Sequence, residues 1–131
     1  MKQTKHLRPL LLVFAVLIAA TVLCTACEQA EPQTGTKTIT VQIIVDGQDT
    51  VTKSITTEAE YLREALDGEN LLIGEEGPYG LFVKTVNGIT ADDAKQQWWC
   101  FTKGGADLFT GVDTTPIADG DTFEITLKTG Y

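Results

Sequence analysis

From Lys37 onward, apolar and polar positions alternate along the chain. In residues 38–45 (TITVQIIV) the odd positions are apolar and the even ones mostly polar, as a strand with one buried face requires. Asp46-Gly47 is a strong turn dipeptide, and the β-branched run 51–56 (VTKSIT) returns from it, so residues 38–56 read as a hairpin. Thr57-Glu58-Ala59-Glu60 matches a capping box, which predicts a helix starting there. Leu62, Ala65 and Leu66 share one face of that helix, and Gly68 marks its end after about three turns. The second half is strand-like again. Residues 71–73 and 81–86 lead to Asn87-Gly88, a strong hairpin signal, and residues 98–102 (WWCFT) precede Gly104-Gly105. Residues 122–127 (TFEITL) carry apolar residues at odd positions. The order β-β-α-β-β-β-β, with one short helix to cover a face of a mixed sheet, predicts an α+β fold of the β-grasp type.

The N-terminus follows a different pattern. Residues 10–23 are apolar except for Thr21, and Lys2, Lys5 and Arg8 precede them, which is the layout of a secretory signal peptide. The apolar run is short for a membrane span, which needs about 20 residues. Residues 23–27 (LCTAC) resemble the lipobox of bacterial lipoproteins, in which a small residue precedes the cysteine that receives a diacylglycerol thioether. Ala26 makes Cys27 the better match, because bulky Leu23 precedes Cys24. The expected organisation is therefore a signal peptide over 1–26, a lipidated Cys27 with a polar tether over 27–36, and one domain over 37–131. The expected location is the outer face of the cell membrane, with the lipid on Cys27 as anchor.

Charge and residue inventory narrow the chemistry. Residues 27–131 hold seven of the ten basic residues and all 18 acidic ones, a net charge of −11. So acidic a domain repels phosphate backbones, which argues against a nucleic-acid partner. The single histidine, His6, lies in the segment expected to be removed. Cys100 is then left without a partner for a disulfide, and its place between Trp99 and Phe101 predicts a buried, chemically quiet thiol. The carboxylate pairs Asp46/Asp49, Glu75/Glu76, Asp92/Asp93 and Asp119/Asp121 sit in predicted turns, where Asp caps main-chain N–H groups. Asp119-Gly120-Asp121 hints at calcium, but the twelve-residue loop closed by glutamate is absent. With no zinc spacing, phosphate loop or Ser-His-Asp set, the sequence offers no catalytic residues, no metal ligands and no cofactor site, and the protein is expected not to be an enzyme.

Four motifs in order carry a family resemblance: residues 80–88 (GLFVKTVNG), 98–101 (WWCF), 111–113 (GVD) and 119–123 (DGDTF). Together they are similar to the transcobalamin-like C-terminal domain, found in vertebrate cobalamin carriers and in bacterial surface lipoproteins of undefined function. The resemblance implies a β-grasp relative that binds a soluble ligand, with a corrinoid as the leading candidate. In the vertebrate carriers the ligand is held between this domain and a large helical barrel that the present chain lacks.

The residues themselves suggest where a ligand would lie. Trp98 and Trp99 are neighbours in one strand and point to opposite faces, so one indole is expected on the face away from the helix. The competing reading is that loop 104–118, with Leu108, Phe109, Val112 and Ile117, folds back over it. Tyr79, Phe82 and Phe109 are secondary candidates, and Tyr131 at the terminus reads equally as a site residue or as packing. Two functions follow: a lipoprotein that captures a small molecule for a transporter, or a module that docks another envelope protein.

Overall fold

A computed structural model of the protein describes residues 31–131; the expected signal segment, His6 and Cys27, the cysteine expected to be lipidated, lie outside the described residues. The architecture is α+β. Eight strands run in the order β1 (Lys37–Ile44), β2 (Val51–Thr57), helix α1 (Leu62–Gly68), β3 (Leu72–Gly77), β4 (Gly80–Val86), β5 (Ile89–Thr90), β6 (Gln97–Lys103), β7 (Ala106–Asp107) and β8 (Thr122–Thr129). A single 3-10 turn, Asp93–Lys95, links β5 to β6.

These strands form two sheets where the periodicity predicts one. The larger has the order β2-β1-β8-β6-β7 and the smaller β3-β4-β5. β1 and β8 pair in parallel at the centre of the larger sheet, and the other pairings are antiparallel. Alternation along a strand says which face is buried, but it carries no information about which strand lies beside which. The smaller sheet also contains an irregularity at Ile73/Gly74, where a Cβ on Gly74 would collide with the main-chain oxygen of Phe82.

The alternating pattern does fix the core. Odd positions Ile39, Val41, Ile43, Phe123 and Ile125 are buried on one face, under Leu62, Ala65 and Leu66 of α1 and with Val86 of the smaller sheet. Each of these aliphatic side chains contributes about 1.5–3 kcal/mol by leaving water. The even face of β2, β1 and β8 is mostly polar, with Thr38 opposite Thr56, Gln42 opposite Thr52 and Thr40 beside Thr122. β2 is an edge strand, and Lys53, paired with Val41, sits on its core-facing side, a placement that discourages pairing with another chain.

The helix differs from its predicted form at both ends. It begins at Leu62, after an extended Tyr61 that makes no side-chain cap, so the capping box at Thr57–Glu60 does not form. Thr57 belongs to β2, and its hydroxyl accepts from Ala59 N–H at 3.0 Å. The first helical donors are instead taken by the distant loop: Leu62 N–H donates to Thr115 O at 2.9 Å and Arg63 N–H to Val112 O at 3.0 Å. The helix has seven residues, about two turns. Its stop is Asn70 rather than Gly68. Asn70 has φ +53°, and Leu71 N–H donates back to Leu66 O at 3.0 Å, closing a Schellman motif over two buried leucines.

Candidate functional site

The site is built on two incomplete strand edges. Gly104 N–H donates to Thr122 O and Gly130 N–H to Gln96 O, both at 2.9 Å, so the even-numbered residues of β6 are the ones bonded to β8. The N–H and C=O of Trp99 therefore face the opposite side. There β7 pairs only with Thr102 and Lys103, and no strand lies beside Trp99. β4 has a matching gap: β5 pairs only with Thr85 and Val86. Leu81 N–H points away from β3 to the Asp113 carboxylate at 2.7 Å, and Val83, two residues on, shares that orientation.

Between these edges runs a cleft of about 200 Å³, with Leu81, Phe82 and Val83 on one wall, Trp99 and Phe101 on the other, and residues 110–112 at its base. A second hollow of about 410 Å³ continues along β6 past Trp98 and Cys100, bordered by Leu108 and Lys128. The two share Trp98, Trp99, Phe101 and Thr110, so they form one groove along the open edge. The cleft is mostly apolar, with main-chain donors and acceptors at the edge, while the hollow beyond it is of mixed polarity, with Asp107, Thr110 and Lys128 in its walls.

The structure separates the two tryptophans. Trp99 is only 6 % exposed and belongs to the core, with its indole N–H donating to Lys84 O at 3.1 Å. That bond ties β6 to β4 at the narrow end of the cleft. Trp98 is half-buried on the other face; its N–H donates to Gly130 O at 2.8 Å, and the Lys128 ammonium stands 5.8 Å from its ring centroid. Loop 104–118 covers Trp98 only in part. Val112 and Ile117 enter the core, and Leu108 and Thr110 border the groove beside Trp98.

Of the secondary candidates Tyr79, Phe82 and Phe109, only Phe82 lines the cleft, and all three are exposed. Tyr79 is 98 % exposed, Phe109 99 % and Phe82 60 %. Phe82 reaches the cleft, whereas Tyr79 and Pro78 border a neighbouring hollow of about 260 Å³ at the β3–β4 tip. Tyr131 is 87 % exposed, so of its two readings packing is the one not seen. Cys100 is buried on the Trp98 face, outside the main core, where it borders the second hollow.

Sequence reading missed a cluster around Arg63. Its guanidinium contacts the carboxylates of Glu76 and Asp113, and reaches Asp67 at 3.4 Å. Asp113 is held below the usual carboxylate range, first by the Leu81 N–H and then by Arg63. Gly80, at φ +102°, leaves room for it, since a Cβ there would lie 2.5 Å from Asp113 Oδ2. The only sequence trace of this contact is the recurrence of Gly80 and Gly111-Val112-Asp113 among the family motifs. Among the described residues, no three His, Cys, Asp or Glu side chains are grouped so as to hold a metal ion.

A family model described as a domain of unknown function, DUF4430, matches residues 56–129. The chain belongs to this family. It is a transcobalamin-like domain family of undefined function. A DUF4430 relative in fold and sequence is a protein from Ruminococcus gnavus ATCC 29149 whose name proposes metal binding. It is 55 % identical, with a TM-score of 0.70, over 72 % of this chain and 99 % of that one. Haptocorrin, solved in complex with Cbi, shares the fold at a TM-score of 0.63 and 14 % identity. That match covers 82 % of this chain but 29 % of haptocorrin, so the chain spans less than a third of that protein. Among curated proteins no sequence matches this chain.

Proposed function

We propose that this DUF4430 domain is a non-catalytic binder of a flat small molecule, held in the groove along the open edge of β6. The observation that carries the reading is the groove itself, where the Trp98 ring and the unpaired main chain of Trp99 adjoin an apolar cleft. A corrinoid is the ligand we favour, because the haptocorrin domain of the same fold occurs in a protein bound to Cbi. We read the architecture as a β-grasp variant, with hairpin β1–β2, helix α1 and β8 returning beside β1. The protein would be anchored through a lipidated Cys27 at the outer face of a bacterial membrane, positioned to pass its ligand to a transporter.

Metal binding, proposed in the name of the Ruminococcus gnavus protein, does not fit the described residues here. The carboxylates that come closest to a ligand set, Asp67, Glu76 and Asp113, converge on the guanidinium of Arg63. A half-site of this kind buries one side of its ligand only. Aromatic contacts contribute at most a few kcal/mol each, so affinity is expected on the order of micromolar.

The test is titration of the purified protein with cobinamide and with cobalamin, following tryptophan fluorescence and heat. Saturable binding that is weakened at least tenfold by Trp98→Ala, with the circular dichroism spectrum unchanged, is expected. No heat and no quenching up to millimolar corrinoid would overturn the corrinoid reading. That result would favour an envelope-protein docking module, for which the exposed rings of Tyr79, Phe82 and Phe109 supply the contact surface.

A further inference from the structure

The residues that line the groove come from separate parts of the chain, and something must set the distance between them. The β3–β4 tip supplies Leu81 and Phe82, and loop 108–117 supplies Thr110, Gly111 and Val112. These two segments meet away from the aromatic walls, at Asp113. One Asp113 oxygen accepts the Leu81 N–H at 2.7 Å, and the other meets Arg63 of α1. Arg63 also binds Glu76 on β3 and reaches Asp67 one turn along its own helix. Gly80 lets the carboxylate come against the turn of the hairpin. The first turn of α1 is itself bonded to the same loop, through Arg63 N–H to Val112 O at 3.0 Å.

We infer that Arg63 is the built-in cation of a latch, closed by Asp113 and Glu76, that holds the β3–β4 tip against loop 108–117 and so sets the width of the ligand cleft. Three carboxylates brought together would repel one another, and a planar guanidinium with five donors joins them in a geometry that a single ammonium cannot match. The inference rests on the proposed binding reading for its purpose, but the latch itself can be tested without any ligand. Arg63 and Asp113 are positioning residues: neither lines the cleft.

The experiment measures two properties of the full chain, namely hydrogen exchange of the Leu81 amide and acrylamide quenching of the tryptophans. Arg63→Met is expected to speed Leu81 exchange at least tenfold and to raise quenching at least twofold, with circular dichroism unchanged. Arg63→Lys should recover only part of the protection, and Asp67→Ala, at the exposed end of the cluster, should change little. If Arg63→Met fails to fold, Glu76→Gln carries the test, because it leaves Asp113 in place and removes the charge by which Arg63 holds β3, and it should speed Leu81 exchange in the same direction. Leu81 exchange within twofold of wild type in every folded variant would overturn the latch. Faster exchange with unchanged quenching would overturn its control of cleft width. Excess calcium or a chelator is expected to leave wild-type exchange unaltered, and a response to either would overturn Arg63 as the cation. A cobinamide titration completes the set: unlatched variants should bind at least tenfold more weakly. Failure of the wild type to bind cobinamide would remove that ligand, while exchange and quenching still decide the latch.

Discussion

Single residues in this domain carry roles that their type alone does not announce. Lys37 occupies an odd position of β1 and is buried, with its ammonium donating to the main-chain carbonyls of Glu58 and Ala59. A buried cation is tolerated because it replaces water on two acceptors that the approach to α1 leaves unpaired. Lys37→Met keeps the stem and removes those bonds, and should lower unfolding stability by about 1–3 kcal/mol in urea melts. The tryptophans should respond in opposite ways. Trp99→Ala opens a core cavity and should cost about 3–5 kcal/mol, whereas Trp98→Ala should cost less and act chiefly on ligand binding. Differential scanning calorimetry of both variants checks this contrast. Cys100 should react slowly with a thiol reagent in the native state and rapidly in denaturant, and fast native labelling would contradict its burial.

At the scale of elements, the helix shows how local signals and tertiary contacts divide the work. Its apolar face was readable because Leu62, Ala65 and Leu66 follow helical spacing, and all three are buried. Its start was not, because the carbonyls of Val112 and Thr115, some fifty residues away, take the role assigned to the Thr57 hydroxyl. Its end is set by Asn70 in a left-handed conformation, which a β-branched residue resists. Asn70→Val should therefore lower the melting stability by about 1–2 kcal/mol, while Asn70→Gly should be nearly neutral. The Asn87-Gly88 turn, by contrast, matches its sequence signal, with φ of +49° and +79° across a two-residue hairpin between β4 and β5.

Across the whole molecule, the latch predicts a response to acid. Asp113 has a folded-state pKa below that of the unfolded chain, so its stabilising contribution is complete above the usual carboxylate range and is lost as pH falls through the depressed folded value. The wild type should thus lose stability steeply only at strongly acid pH. Asp113→Asn should be less stable at neutral pH and show a flatter acid limb in urea melts recorded across pH. The organisation expected from the N-terminus has its own test: labelled fatty acid should enter the wild type expressed in a bacterium and not Cys27→Ala. Equal labelling would dismiss the anchor.

Some of this protein was written in the sequence alone. Alternation with period two fixed which side chains of β1 and β8 enter the core, and Asn87-Gly88 fixed a turn, because both depend on neighbours a few residues apart. The order of family motifs, from Gly80 to Phe123, was enough to reach the transcobalamin-like family, to which the DUF4430 match also points. Trp98 and Trp99 could be assigned to opposite faces, since adjacent strand residues must diverge, but not which of them joins the core. That choice, the division into two sheets, and the cleft between β4 and β6 were decided by tertiary structure. Each depends on contacts between residues far apart in the chain, such as Trp99 with Lys84 O and Arg63 with Asp113. Arg63 shows the limit clearly: on a helix surface it reads as a solvated charge with Asp67 one turn away, and only the fold brings Glu76 and Asp113 to it.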